Sequence, residues 1–167
     1  MKKKYCCFCG KKLAFKALSD GSREQYCEKC DHVFFDSPSP AVIVAVSNDD
    51  SVLINERGLI AGYIKLGETA EAAAIREARE EVGLEIFDLS FVNTYPAKDR
   101  NLLMIGYKAK TKDTRLRKSR ELKKAVWCNL SKPLPLRPHS IAARLVRQSF
   151  HGARTSGAAK ARFIARA

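Results

Sequence analysis

A chain of 167 residues, 46% of them hydrophobic, is long enough for one domain with a real core plus a much smaller one. Its longest apolar run, residues 41–46, is far too short to cross a bilayer, and MKKKYCCFC at the start leads into cysteines rather than an apolar signal segment. A cytoplasmic protein without membrane association is therefore expected. The formal net charge of +13 is uneven, because no Asp or Glu follows Glu121 while Lys and Arg continue to Arg166, and such a field attracts phosphate-bearing ligands or nucleic acid.

Residues 1–36 hold five of the six cysteines, and residues 37–40, Ser-Pro-Ser-Pro, interrupt regular structure as a linker would. Cys6-x-x-Cys9 and Cys27-x-x-Cys30 are two tight pairs on either side of Asp20-Gly21, a natural hairpin tip, and Gly10 suits the turn of a metal-binding knuckle. Four thiolates can close a tetrahedral shell around structural Zn²⁺, and so small a segment has few apolar residues to fold on otherwise. Two disulfides would use the same four cysteines, but a reducing compartment argues for the metal. Cys7 is adjacent to the set, and Cys128, beside Trp127, reads as a small core residue.

Residues 41–151 read as the main domain. AVIVAV at 41–46 suggests a buried strand, residues 48–51 a turn and VLI at 52–54 the returning strand. Between Glu68 and Val82 the pattern turns helical: Ala74, Ala78 and Val82 form one stripe, Thr69 suits the N-cap, Glu71 the first turn and Gly83 a left-handed C-cap. Further strands are expected near 84–91, 102–109 and 125–130, and a helix over 140–150. Mixed strands with two helices imply an α+β sandwich. Residues 152–167 are basic, poor in large apolar side chains, and read as a flexible tail.

On the first of these helices Glu77, Glu80 and Glu81 fall at offsets of three and four, so their carboxylates share a face and repel one another. A bound Mg²⁺ or Mn²⁺ is the natural compensation for several hard oxygen donors on a rigid element. A solvated acidic face paired with Arg76 and Arg79 is the competing explanation, and the wider spacing decides between them. The chain reads Gly62-x5-Glu68-x7-Arg76-Glu-Ala-Arg-Glu-Glu-Val-Gly-Leu84.

This pattern resembles the signature of the Nudix hydrolases at every specified position, and a four-cysteine ribbon ahead of it is similar to their NADH pyrophosphatase branch. The resemblance implies an α/β/α Nudix sandwich with a mixed sheet, preceded by a small zinc ribbon. It implies that Glu77, Glu80 and Glu81 are the principal catalytic metal ligands, with Glu68 and Glu121 as further contacts to the cation, and that Arg76 orients the helix carboxylates. Gly62 would admit the diphosphate close to the backbone, Tyr63 would stack on a base, and Ala142 corresponds to an alanine of the nucleotide pocket. The implied reaction is metal-dependent hydrolysis of a pyrophosphate bond, NAD(H) giving AMP and nicotinamide mononucleotide, by a homodimer. The branch's specificity motif is replaced at 94–102 by Thr-Tyr-Pro-Ala-Lys-Asp-Arg-Asn-Leu, where only Pro96 is shared and Tyr95, Lys98 and Arg100 are candidate substitutes. That change favours ADP-ribose or FAD as alternatives. A nucleic-acid-binding module using the ribbon and the basic C-terminal third is a third reading, although no basic stretch along the chain interleaves aromatics.

Overall fold

A computed structural model describes residues 3–117, 119–120 and 122–150 of the chain, which falls into two units, Met1–Pro38 and Ser39–Ala167. In the first, strands β1 (Ala14–Ala17), β2 (Arg23–Cys27) and β3 (His32–Phe34) form an antiparallel sheet in the order β1-β2-β3. The β1–β2 turn closes where Asp20-Gly21 predicts it: Gly21 has φ +82°, and Asp20 accepts the Ser22 N–H at 2.9 Å. The first cysteine pair sits in a knuckle where the Gly10 N–H donates to the Cys6 carbonyl at 2.9 Å and Gly10 has φ +71°.

The second unit is organised around β4 (Ser39–Asn48). With β5 (Ser51–Asn55), β6 (Ile60–Tyr63), β7 (Phe87–Ala97), β8 (Leu102–Lys110) and β9 (Ala125–Asn129) it forms a mixed sheet in the order β7-β8-β4-β5-β9. β4 runs parallel to β8 from Ser39↔Leu102 to Ser47↔Lys110. Its other edge is divided, Ala41 to Val44 pairing with β6 and Ser47–Asn48 with β5. This explains why the 41–46 run is apolar throughout, since both faces of the strand are covered. Val42, Val44 and Val46 pack against Ala73, Ala74, Ala78 and Val82 of helix α1 (Ala70–Val82). Ala41, Ile43 and Ala45 pack against Ala142, Ala143, Leu145 and Val146 of α2 (Ile141–Ser149). The result is the expected α/β/α sandwich. No helix among the described residues is long and apolar enough to cross a membrane.

α1 starts as its sequence predicts, with Thr69 accepting the Ala72 N–H at 3.1 Å, and at α2 Ser140, read as the first helical residue, is the cap, accepting the Ala143 N–H at 3.1 Å. Three further expectations shift. Ser39 and Pro40, read as linker, open β4. The strand expected at 84–91 begins at Phe87 and runs on to Ala97 with two register shifts, because Leu84 is withdrawn into the core behind α1. β6, four residues containing a glycine, was too short to register as a strand.

Gly83 ends α1 at φ +70° and donates to the carbonyls of Ala78 and Arg79. Beyond it, the Arg117 and Ser119 N–H groups reach back to the Val82 and Glu81 carbonyls, both at 2.8 Å, satisfying acceptors that the helix end leaves open. A Cβ on Gly83 would lie 2.8 Å from the Arg117 Cβ. Gly83→Ala is therefore expected to destabilise the fold by about 1–2 kcal/mol from the left-handed backbone alone, more with the clash, as read by urea unfolding.

Candidate active site

Arg76, in the middle of α1, gathers the acidic residues around it. Its Nε donates to Glu68 Oε1 at 2.7 Å; one terminal nitrogen donates to Glu77 at 2.6 Å and Glu80 at 3.0 Å, the other to Glu68 Oε2 and the Tyr63 carbonyl at 3.0 and 2.9 Å. The bidentate grip holds the Glu68 carboxyl down to about pKa 2, helped by the Lys65 N–H at 2.9 Å. The same guanidinium lowers the Glu80 carboxyl, and Lys65 Nζ lies 3.5 Å from that group. Glu68, Glu77, Glu80 and Glu81 outnumber Arg76 and Lys65 by two negative charges, the surplus that one divalent cation would balance.

Gly62 explains how Glu77 reaches its position. A Cβ at Gly62 would lie 2.0 Å from both the Cδ and an oxygen of the Glu77 carboxyl, so the carboxylate occupies the space where any other residue would place a side chain. Here the glycine makes room for a carboxylate on α1, a role that its place in the signature had not suggested. Glu81 is held from another side: the amide of Asn55, at the end of β5, donates to it at 3.2 Å. Asn55 is only 3% exposed, and its carbonyl oxygen accepts the Arg57 N–H at 2.9 Å. Nothing in the sequence marked Asn55, since an Asn at a strand end reads as a turn residue.

Gly62, Tyr63, Glu81 and Asn55 line a cleft of about 650 Å³, a volume suited to a nucleotide-sized ligand. Ile43, Leu59, Met104, Leu136 and Ala142 are its apolar lining, and Arg57, Arg100 and Arg137 line it together with Glu56 and Asp99, the last 4.0 Å from Arg100. Ala142 lines the cleft, and a Cβ on Gly58 would lie 3.1 Å from its own. The Tyr63 ring is exposed beside the cleft, and it is the residue's carbonyl that meets Arg76. Within 94–102 the candidates separate. Tyr95 is fully buried, with its hydroxyl bonded to Gln148, and so belongs to the core; Arg100 lines the cleft, whereas Lys98 does not. Glu121 lies outside the described residues. Glu56 of the cleft accepts the N–H groups of Lys123 and Lys124 at 2.9 and 2.7 Å.

In the first unit the sulfurs of Cys6, Cys9, Cys27 and Cys30 all lie within 4.8 Å of one another. The Cys6–Cys30 and Cys9–Cys27 separations are 3.9 and 3.5 Å, too long for disulfides and close to the edge of about 3.8 Å that a tetrahedron with metal–sulfur bonds of about 2.3 Å would have. The Cys9 thiol is pulled down to about pKa 7, chiefly by a hydrogen bond to the Lys11 backbone, while neighbouring thiols, Cys9 first, push Cys30 up to about 12. Exposed Cys7 stands outside this set, and Cys128 packs on the core of the second unit.

The sequence model of the NUDIX domain matches residues 37–149. Two proteins named NAD-capped RNA hydrolase NudC are similar to the chain: that of Pseudomonas aeruginosa is 30% identical over 168 residues, covering 94% of this chain and 58% of its own, and that of Klebsiella pneumoniae is 29% identical over 153 residues, covering 86% and 58%. The chain thus spans a little under three fifths of the length of these curated relatives. Among solved structures, a NUDIX hydrolase from Nitrosomonas europaea aligns with TM-score 0.66 at 20% identity, over 76% of this chain and 78% of its own. An ADP-ribose pyrophosphatase from Streptococcus suis aligns with TM-score 0.55 at 15% identity, over 68% and 92%. These two likenesses concern the fold.

Gly62→Ala is expected to keep the sheet, since this glycine does not use the left-handed backbone region, while displacing the Glu77 carboxylate. Binding of Mn²⁺, titrated by electron paramagnetic resonance, should weaken by roughly tenfold to a hundredfold, as when a ligand's supporting shell is disturbed. An unchanged affinity would remove Glu77 from the ligand set.

Proposed function

Because this chain belongs to the NUDIX domain family, we propose that it hydrolyses the pyrophosphate bond of a nucleoside-diphosphate-linked compound with Mg²⁺ or Mn²⁺, and that NAD(H), giving AMP and nicotinamide mononucleotide, is its substrate. The observation that carries this reading is the gathering of three carboxylates on Arg76, with Gly62 vacating the space that Glu77 fills and Glu81, held by Asn55, lining a nucleotide-sized cleft together with that glycine. The names of the NudC relatives favour an NAD-linked substrate.

Glu77, Glu80 and Glu81 would hold the cation, with Glu68 and Glu121 as further contacts, and a cation so held supplies Lewis-acid stabilisation of phosphoryl oxygens and acidifies water. Arg76 keeps the carboxylates at fixed spacing, Glu68 keeps Arg76 in place, and Asn55 sets the rotamer of Glu81. A helix carboxylate takes the proton of the attacking water. Water adds to one phosphorus, the bridging P–O bond breaks, and two monophosphates leave. The apolar wall with Ala142 would take the base and ribose, and the exposed Tyr63 ring would stack beside them.

A second specificity, for ADP-ribose or FAD, is favoured by the 94–102 segment, where Tyr95 is committed to the core and Asp99 and Arg100 line the cleft. In the first unit we assign the four-cysteine set to structural Zn²⁺, because four thiolates leave no open coordination position for chemistry. Elemental analysis should return about one zinc per chain, falling close to zero in Cys27→Ser; another metal at full occupancy would displace that assignment.

The hydrolysis reading is tested by chromatography of products from NADH, NAD, ADP-ribose and FAD with Mg²⁺ or Mn²⁺. AMP and nicotinamide mononucleotide are expected from NADH, with a loss of at least about 10²-fold in Glu80→Gln. Cleavage confined to ADP-ribose or FAD would move the specificity, and turnover undiminished in Glu80→Gln would sink the proposed site.

A further inference from the structure

We propose that one face of the N-terminal three-stranded sheet binds single-stranded nucleic acid, stacking bases on Phe8, His32 and Phe34 and pairing phosphates with Lys3 and Arg23. The strand register assembles this face. Cross-strand partners share a side of a sheet, and residues two apart along a strand do too. Phe15↔Gln25 and Gln25↔Phe34 therefore put Phe15 and Phe34 on one side; Ala17↔Arg23 and Cys27↔His32 put Arg23 and His32 on the same side. Glu24, the one acidic residue within these strands, faces the other way, opposite Lys16.

The rings form a connected surface. Phe8, from the first cysteine knuckle, lies 5.9 Å from Phe34 with the planes 26° apart and 5.2 Å from His32, while His32 and Phe34 are 4.7 Å apart. Phe8 remains 68% exposed, an unfavourable state for a large ring unless something else covers it. Cations already lie on this surface: Lys3 Nζ is 5.3 Å from the centre of the Phe34 ring and the Arg23 guanidinium 5.1 Å from that of Phe15. Lys3 is held there by its main chain, whose N–H donates to Gln25 Oε1 at 3.0 Å and whose carbonyl accepts from the Gln25 amide.

Rings with adjoining cations and no carboxylate on the same strand face match a strand whose bases are unstacked and whose phosphates are spaced along its edge. A duplex hides its base faces and offers such a surface only charge. Among the described residues of this unit, every exposed large hydrophobic side chain is aromatic, namely Tyr5, Phe8, Phe15 and Phe35. No exposed large aliphatic side chain accompanies them among those residues, as one would on a face built to enter lipid. Binding to this face is read without turnover and stands apart from the proposed hydrolysis.

The test uses the full chain and fluorescence anisotropy with a short labelled oligouridine, a duplex of the same length and phosphatidylserine vesicles. Oligouridine should bind more tightly than duplex, and Phe8→Ala should weaken it about tenfold, the scale of one lost base–ring stack. Lys3→Ala should reduce the slope of log affinity against log salt by about 0.7, one phosphate contact on a single strand. Metal content of Phe8→Ala shows whether the knuckle survives; if it does not, the salt slopes of Lys3→Ala and Arg23→Ala decide. Parent-like binding by an intact Phe8→Ala would overturn the proposal, as would equal affinity for duplex, unchanged salt slopes in both basic variants, or binding of vesicles without oligouridine.

Discussion

One guanidinium holds the candidate site together. Arg76 joins α1, the end of β6 and the loop that carries Glu68, donating to three carboxylates and one carbonyl. Without it, the acidic residues of α1 would repel one another and extend into solvent. With it they stand close together, their excess negative charge reduced and not cancelled. A group buried to this degree and paired on every side has little rotational freedom, so the carboxylates are placed before any ligand arrives.

The placement of Arg76 and its neighbours depends in turn on β4. That strand presents alternate side chains to the two helices and divides one edge between β5 and β6, which brings Gly62 on β6 against Glu77 and Asn55 on β5 against Glu81. The carboxylate face thus meets the cleft through two contacts that are neither acidic nor conspicuous. The same sheet sorts the residues of 94–102: those on β7 alternate into the core, taking Tyr95 with them, and the turn that follows carries Arg100 to the cleft.

The N-terminal unit follows a different logic. Its strands are short and few of its residues are buried, but two of the cysteines, Cys6 and Cys27, are. A metal held by the four cysteines would free the sheet's face from the duty of forming a core, and aromatic residues could then stand exposed.

The chain's sequence by itself determined the elements whose signals are local or periodic. The caps Thr69 and Gly83, the stripe Ala74, Ala78 and Val82, the paired cysteines and the spacing from Gly62 to Leu84 are all legible without coordinates, because each depends on backbone conformation or on chemistry a few residues apart. That Glu77, Glu80 and Glu81 share a helix face with Arg76 among them was legible for the same reason. What only the tertiary structure decided are the meetings of residues distant along the chain. Asn55 supports Glu81, Gly62 gives its space to Glu77, Tyr95 turns inward, Leu84 is a core residue and not the start of a strand, and Phe8, Phe34 and Lys3 come together on one face. None of these leaves a local trace, since the energy that selects each comes from packing and hydrogen bonds between elements, which exist only once the sheet has set its register.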